Sequence, residues 1–278
     1  MSLHNHLASF GLVLALFTST YGYESVYFND GGYHKIDYIL DAQVYVDRSS
    51  PGVGTQLELV EGGGIAPGEG YGSIYAFNDS QVTVSRGQIG WTLAARDRSK
   101  ANLTGGYLGH EFFSSSINTA YMSGGSVWAV VAYGNGSFDV SGGTVRWGLE
   151  TQGSTQAVIT GGNIAGINCL DSSRMYISGG TILGYINAGY YNDASSLITF
   201  YGSDFAINGQ PVALGEYASS YCSYSGQVTG TLTDGSLLNT SFGLKGNADI
   251  LFIPEPATVL LVGLGGLVLR RKTQRIRA

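Results

Sequence analysis

The most regular pattern of hydrophobic and polar positions lies between about residues 82 and 184, where one short motif occurs six times. Within it, apolar residues alternate with polar ones on both sides of a glycine turn, which predicts strands that bury one face. The residue just before the glycines is always Ser or Thr. The three apolar columns consist of Val82, Ala101, Ala120, Phe138, Ala157 and Met175; of Val84, Leu103, Met122, Val140, Ile159 and Ile177; and of Ile89, Leu108, Val127, Val145, Ile164 and Ile182.

The turn of each motif is a Gly-Gly pair, with one degenerate first copy at Arg86-Gly87. Successive copies lie 19, 19, 18, 19 and 18 residues apart. We expect the glycines to supply backbone angles that are closed to residues with a Cβ, and to leave room at a sharp bend. The complete pairs are Gly105-Gly106, Gly124-Gly125, Gly142-Gly143, Gly161-Gly162 and Gly179-Gly180.

This period predicts the fold class. It is too short for an ankyrin or tetratricopeptide unit, but it fits one coil of a β-solenoid. The sequence therefore predicts an all-β, single-stranded parallel β-helix with coils of about 18–19 residues, capped ends and a short apolar helix at the C-terminus. The alternative is a sandwich or barrel of short glycine-rich strands, which would not require a fixed step with matching columns.

Three regions are predicted along the chain. Residues 1–22 resemble a secretory signal with an apolar run at 7–17, although its opening segment has no Lys or Arg; a buried first strand or helix is the alternative. Residues 23–250 form the solenoid domain, with repeats at about 82–200 and less regular strands on either side that we expect to include the first coils and the caps. Residues 251–278 form a separate tail.

Charge is distributed unevenly along the chain. The net charge is −6, but five of the 14 basic residues lie in the last nine positions, which leaves 9 basic and 20 acidic residues, or −11, in the rest. Phosphate binding requires a basic face, so nucleic acid is not expected as a partner.

The tail resembles a known sorting signal. Pro254-Glu255-Pro256 precedes thirteen uncharged, mostly apolar residues (257–269), and Arg270, Arg271 and Lys272 follow. Thirteen helical residues span about 20 Å, less than a hydrocarbon core. This order is similar to the PEP-CTERM signal of exported bacterial proteins, and the glycine-rich coils resemble the β-helical cargo of such tails. The resemblance implies processing by an exosortase, a membrane cysteine peptidase, in bacteria that make exopolysaccharide.

No catalytic, metal or cofactor site is predicted. β-Helix enzymes that cleave polysaccharides need clustered carboxylates, often with a basic residue. Asp139, Glu150, Asp171 and Asp193 fall in different columns of the repeat. Outside the predicted signal the only histidines are His34 and His110. His110 shares its column with Trp91, Ala129, Trp147, Gly166 and Gly184, and we interpret it as a packed or surface residue.

Three further features leave alternatives open. The basic run of Arg96, Arg98 and Lys100 is interpreted as a solvated loop, or else as a contact with acidic polysaccharide. The 19 tyrosines either stack on sugars or fill half-buried strand faces. Cys169 and Cys222 either form one disulfide bond or remain free, with Cys169 a small buried side chain.

Together these features predict a non-enzymatic protein of the cell surface or extracellular matrix, held at the inner membrane as a precursor and associated with exopolysaccharide. The expected partners are an exosortase-type peptidase at the tail, exopolysaccharide and, transiently, the inner membrane. The alternatives are a polysaccharide lyase or glycoside hydrolase of the parallel β-helix type, and a protein-binding adhesin. A cluster of carboxylates and cations on one face would favour an enzyme, whereas an aromatic stripe without such a cluster would favour sugar binding.

Overall fold

The computed structural model describes residues 24–65, 72–189, 195–220 and 222–254. Within these ranges every regular element is a β-strand, apart from one 3-10 turn at Ala218–Ser220. The all-β prediction is therefore confirmed. The predicted signal at 1–22 and the predicted apolar helix of the tail lie outside the described residues. Among the described residues, no helix has the length and apolar character needed to cross a membrane.

The strands are numbered in chain order. The first half contains β1 (Ser25–Phe28), β2 (Tyr33–Ile36), β3 (Ile39–Leu40), β4 (Gln43–Val46), β5 (Arg48–Ser50), β6 (Val53–Gly54), β7 (Gln56–Leu59), β8 (Gly64–Ile65), β9 (Ile74–Ala76), β10 (Gln81–Val84), β11 (Gln88–Ile89), β12 (Leu93–Ala95), β13 (Lys100–Leu103) and β14 (Tyr107–Ser116). The second half contains β15 (Thr119–Met122), β16 (Ser126–Gly134), β17 (Ser137–Val140), β18 (Thr144–Thr151), β19 (Gln156–Ile164), β20 (Ile167–Cys169), β21 (Arg174–Ile182), β22 (Ile186–Ala188), β23 (Leu197–Ile207), β24 (Gln210–Pro211), β25 (Ser225–Leu232), β26 (Leu237–Leu244) and β27 (Asp249–Pro254).

The strands stack in parallel register as three ladders, which we call faces 1, 2 and 3 in the order in which each coil reaches them. Face 1 contains β2, β7, β10, β13, β15, β17, the first halves of β19, β21 and β23, and finally β27. Face 2 contains β3, β8, β11, the first parts of β14, β16 and β18, and the last parts of β19 and β21. Face 3 contains β1, β4, β9, β12, the later parts of β14, β16 and β18, and then β20, β22 and β26.

The coils extend beyond the six copies of the motif. Face 1 pairs Val84 with Leu103 and Leu103 with Met122, at the predicted step of 19 residues. It also pairs Ile36 with Leu59 and Leu59 with Val84, which are steps of 23 and 25 residues. The upstream coils belong to the same ladders but contain extra loop residues, so a search for a fixed period detects only the central coils.

The core is built from the predicted columns. All eighteen apolar residues of the three columns named above are at most 6% exposed. Face 3 adds a column of large residues that includes Leu93, Phe112 and Leu149. It also adds a column of small residues, Ala76, Ala95, Ser114, Ala132, Thr151, Cys169 and Ala188.

The two glycines of each pair have different roles at the corner between faces 1 and 2, here called the glycine corner. At the first position, a Cβ on Gly142 would lie 2.5 Å from the carbonyl oxygen of Ser123 in the preceding coil. At the second position, Gly143 has a φ of 89°, in the left-handed region that side chains rarely adopt. Both expected functions of the pair, room and backbone freedom, are therefore present.

A second turn pattern occurs at the corner between faces 3 and 1, here called the hydroxyl corner. From β7 onwards, the residue just before each face 1 strand is buried and usually carries a hydroxyl group that binds turn carbonyls. For example, Ser80 Oγ donates to the Phe77 oxygen at 2.7 Å, and Ser173 Oγ donates to the Leu170 oxygen at 2.6 Å. Two positions earlier the backbone is left-handed, at Asn78, Asp97, Ser116, Gly134, Gly153 and Asp171. Asn, Asp and Gly are the residues that tolerate this conformation best, so the pattern is visible in the sequence.

The C-terminal end of the stack is covered by residues 202–254. Strands β25 and β26 form an antiparallel hairpin, and β25 pairs with the second half of β23. The hairpin turn contacts the last glycine corner, where Gly180 N donates to Asp234 Oδ2 at 2.8 Å and Ser236 Oγ donates to the Gly180 oxygen at 2.8 Å. On face 1, the main chain of Gly215 and Glu216 bonds to Phe252 of the last strand. These contacts satisfy backbone groups that an open edge would leave unpaired.

The glycine corner generates a stability prediction with a matched control. Gly143 and Gly235 have nearly the same φ, 89° and 86°, but a Cβ on Gly143 would lie 2.7 Å from the Gly124 oxygen, whereas nothing lies within 4 Å of one on Gly235. We expect Gly143→Ala to lower the free energy of unfolding by about 3 kcal/mol, because strain and overpacking add. Gly235→Ala should cost about 1–2 kcal/mol from strain alone. Urea denaturation of both variants measures the difference, and equal losses would refute close packing at this corner.

Candidate functional site

All three tryptophans of the chain lie on one corner of the stack, between faces 2 and 3. Four residues share one position, two residues before the first large buried residue of their face 3 strand: Trp91, His110, Trp128 and Trp147. They therefore occupy one column in four successive coils, which spans about 14 Å at the usual strand spacing. We call these four residues the aromatic column.

The rings of the aromatic column are accessible to solvent. Trp91, Trp128 and Trp147 are 36%, 45% and 55% exposed, although large apolar side chains are usually buried where a core can take them. The His110 ring stacks on Trp91 with the two centroids 3.9 Å apart and an interplanar angle of 6°. Two coils beyond Trp147, Tyr185 is exposed in the neighbouring column. The corner thus presents flat apolar surfaces in a line along the stacking direction.

The position of Trp128 corrects the alignment made from the sequence. Counting from the Gly-Gly pair places Ala129 in the column of Trp91 and Trp147, but Ala129 is buried at the start of face 3. Strand β16 has one residue at the corner where β14 and β18 each have two, which produces register shifts on both sides. Counting back from the next large apolar residue, Val130, would have found the correct alignment.

A cation lies beside the aromatic column on face 2. The Arg146 guanidinium lies over the Tyr107 ring, 5.2 Å from its centroid, and Arg146 Nε donates to Ser126 Oγ at 3.1 Å. Its side chain therefore reaches back across two coils, and both contacts fix its position. No carboxylate of the described residues lies within ion-pair distance of it.

Carboxylates lie on the other side of the aromatic column, on face 3. Glu111 follows His110, and its Oε1 is 3.8 Å from His110 Nδ1. Glu150 accepts a hydrogen bond from Gln152 Nε2 at 2.6 Å and lies 3.4 Å from Asn168 Nδ2. Asn168 Oδ1 in turn accepts from Asn187 Nδ2 at 2.8 Å. Glu150 is thus the end of an amide ladder, in which both of its oxygens are engaged.

The carboxylates that fall in different columns of the repeat also lie apart in the structure. Asp139 points out from face 1, Glu150 lies on face 3, and Asp171 lies at the hydroxyl corner, where it accepts a bond from Gly153 N. Asp193 lies outside the described residues. In the described part of the chain, no group of three or more His, Cys, Asp and Glu residues could hold a metal ion.

The two histidines have separate environments. His34 Nε2 is 2.8 Å from Asp30 Oδ1 in the first coil, and its ring packs against Phe28. This hydrogen bond lowers the pKa of the Asp30 carboxyl group. His110 belongs to the aromatic column. The structure therefore does not bring the two histidines together.

The basic run between coils is largely engaged by its neighbours. Arg98 makes two hydrogen bonds to Asp79, at 2.9 and 3.1 Å, and Arg48 Nη1 lies 3.2 Å from the same carboxylate. These guanidinium groups, Arg98 above all, hold the pKa of Asp79 far below its ordinary value. Arg96 lies over the Tyr75 and Phe77 rings. Only Lys100 of this run remains without such a contact in the described structure.

Two sets of tyrosines among the described residues have different surroundings. On face 3 of the first coils, Tyr27, Tyr45 and Tyr75 stack on one another with centroids 4.9 and 5.4 Å apart, so these rings pack mainly against each other. Tyr107 and Tyr185 instead lie beside the aromatic column and are partly exposed.

Both cysteines are free thiols. Cys169 is buried in the column of small residues on face 3, and its Sγ lies 3.3 Å from Ser173 Oγ. Burial raises the pKa of this thiol. Cys169 is therefore the small buried side chain that was one of the two interpretations. Of the predicted sorting motif, Pro254 is the last residue of β27, and Glu255, Pro256, Arg270, Arg271 and Lys272 lie outside the described residues.

Comparison with known proteins identifies no relative: no family model, no curated protein and no solved structure matches the chain. The assignment of this surface therefore depends on its own geometry.

The charge on face 1 generates a prediction about pH. Asp139 lies between Tyr121 and Val158 in neighbouring coils, and burial raises the pKa of its carboxyl group. The folded state therefore binds this proton more tightly than the unfolded state does. Protonation of Asp139 thus stabilises the folded state at acid pH, and this contribution to the free energy of unfolding is lost as pH rises through the folded pKa. We expect Asp139→Asn to raise Tm at about pH 7, with no gain at about pH 3. The exposed Asp41→Asn is the control, and a gain of equal size at both pH values would contradict the assigned cause.

Proposed function

We propose that this protein is an exported β-solenoid of the cell surface or extracellular matrix that binds exopolysaccharide through the aromatic column. The observation that carries the proposal is the alignment of Trp91, Trp128 and Trp147, all exposed, on one corner within four successive coils. Export and sorting by an exosortase-type peptidase are proposed from the tail sequence alone.

The exposure of three aligned tryptophans to solvent requires a physical explanation. A contiguous exposed apolar patch usually marks a binding surface, because leaving it in water is unfavourable. Aromatic rings combine a large flat face with little conformational freedom to lose, which makes them effective contact groups. The apolar faces of sugar rings are flat as well, and an extended polysaccharide offers them repeatedly along one direction. A linear column along a rod fits such a polymer better than it fits a compact ligand.

The distribution of charged groups favours binding without cleavage. Most glycoside hydrolases cleave with two carboxyl groups that flank the scissile glycosidic bond. Along the aromatic column, the carboxylates of Glu111 and Glu150 lie on face 3, and the oxygens of Glu150 are engaged by amide groups. On the other side, no carboxylate of the described residues lies within 4.0 Å of the Arg146 guanidinium. The arrangement thus resembles a contact surface more than a reaction site.

The first test uses the purified full-length chain and a panel of acidic and neutral polysaccharides, with retention in affinity gels and new chain ends both measured. We expect retention without new ends. Trp128→Ala and Trp147→Ala should each weaken retention by about tenfold, because each removes an exposed ring. Tyr224→Ala is the control, since Tyr224 is exposed at the distant cap hairpin. New ends would favour the enzyme, and unchanged retention in both tryptophan variants would exclude the column as the binding surface.

The second test concerns the tail. In a bacterium that has an exosortase, we expect the chain to be recovered from the cell surface or medium with a mass that lacks the segment after the sorting motif. Replacing Pro254, Glu255 and Pro256 together by alanine should leave the full mass and keep the chain in the membrane fraction. The same strain without its exosortase should reproduce that result. Processing that continues in either case would contradict the proposal for the tail.

A further inference from the structure

We infer that the polysaccharide bound at the aromatic column is anionic, with its acidic groups directed towards face 2, where Arg146 lies. This inference rests on the proposed function and deepens it, because it specifies the chemical class and the orientation of the ligand. Three features of the described surface support it, and a fourth, the overall charge of the chain, makes its test sharper.

The first feature is that Arg146 is held in place before any ligand arrives. The Tyr107 ring lies under its guanidinium, and its Nε–H is used by Ser126, so the terminal N–H groups remain for another acceptor. A guanidinium group presents these donors as a planar fork that matches a carboxylate or a sulfate. Because the side chain is already ordered, a ligand would bear less of the entropic cost of fixing it.

The second feature is that no carboxylate of the described residues neutralises this cation, whereas three other arginines on the same rod form ion pairs. Arg48 and Arg98 share Asp79, and Arg86 Nη1 lies 2.6 Å from Glu61 Oε2. Among the described residues no carboxylate approaches Arg146 within 4.0 Å. Arg146 is thus a cation without a carboxylate beside it that lies next to the tryptophans, whereas the basic run at Arg96 to Lys100, which the sequence suggested for acidic polysaccharide, includes the neutralised Arg98.

The third feature is the asymmetry of charge across the column. Arg146 lies on the face 2 side, and Glu111 and Glu150 lie on the face 3 side. An acidic chain lying along the tryptophans is attracted on one side and repelled on the other, which orients its acidic groups towards face 2. A neutral chain would have no such preference.

The fourth feature is the overall charge, which makes the inference discriminating. Without the last nine residues the chain has a net charge of −11. General electrostatics would therefore disfavour acidic polymers, so a preference for them must come from a local site.

The test compares polymers that differ only in charge. Polygalacturonate, alginate and hyaluronate are each paired with their methyl esters, and retention of the full-length chain is measured at low and at physiological salt. We expect at least one acidic polymer to be retained about tenfold more strongly than its ester, with the difference decreasing as salt increases.

Two variants separate the charge from the rings. Arg146→Gln should reduce binding of the acidic polymer by about tenfold and leave binding of the ester unchanged, whereas Arg146→Lys should retain part of the preference. Glu111→Gln should act in the opposite direction and strengthen acidic binding by about twofold. Trp147→Ala should weaken binding of both polymers. Arg146 and Glu111 lie at the surface, and circular dichroism and Tm verify that the variants are folded.

The outcomes distinguish this inference from the proposed function. Equal retention of acid and ester, with loss in Trp147→Ala, would overturn the anionic ligand but leave polysaccharide binding in place. Retention of esters or neutral polysaccharides without retention of any acidic polymer would also overturn the anionic ligand and leave polysaccharide binding in place. Acidic preference that is unchanged in Arg146→Gln would overturn the role of Arg146. No retention of any polysaccharide would overturn both proposals.

Discussion

The fold depends on close contact between main chains at the glycine corner. There the first glycine of each pair lies directly against a carbonyl group of the preceding coil, at a distance that leaves no space for a Cβ. The second glycine turns the chain through a left-handed conformation. Because each coil that contains the pair places these two residues in the same position, the flanking strands are held in register, and the apolar columns follow as continuous buried ladders.

The same register also aligns polar side chains at the hydroxyl corner and on the outside of face 3, where they form hydrogen bonds. At the hydroxyl corner, buried side chains such as Ser80 and Ser173 satisfy turn carbonyls that would otherwise be unpaired in the interior. On the outside of face 3, the same stacking aligns Asn187, Asn168 and Glu150 into a hydrogen-bonded row. The rod is therefore stabilised by hydrogen bonds that recur in successive coils. Among the described residues, none of these hydrogen bonds involves a metal ion or a disulfide bond.

Function is assigned to the corner where the coils vary most in length. At the corner between faces 2 and 3, β16 has one residue where β14 and β18 each have two, and this places Trp128 rather than Ala129 in line with Trp91 and Trp147. The rigid ladders on either side hold the rings at a fixed spacing, and Arg146 is positioned by contacts with two earlier coils. A binding surface on such a scaffold needs little reorganisation when a ligand arrives.

The sequence alone determined the all-β class, the central period, the buried columns and the two functions of the Gly-Gly pair. Each of these arises from steric rules that act over a few residues and recur at every coil. The upstream coils were harder to detect, because extra loop residues break the period while the strands still pair.

Only the tertiary structure decided which outward side chains meet. It paired Arg98 with Asp79 and so removed most of the basic run from consideration, and it showed Cys169 to be a free thiol in a column of small residues. It also joined Trp128 to the other tryptophans and placed Arg146 over Tyr107. Apart from the alignment of Trp128, which the position of Val130 indicates, these contacts depend on neighbours one or two coils away, and no local pattern of hydrophobic and polar residues encodes them.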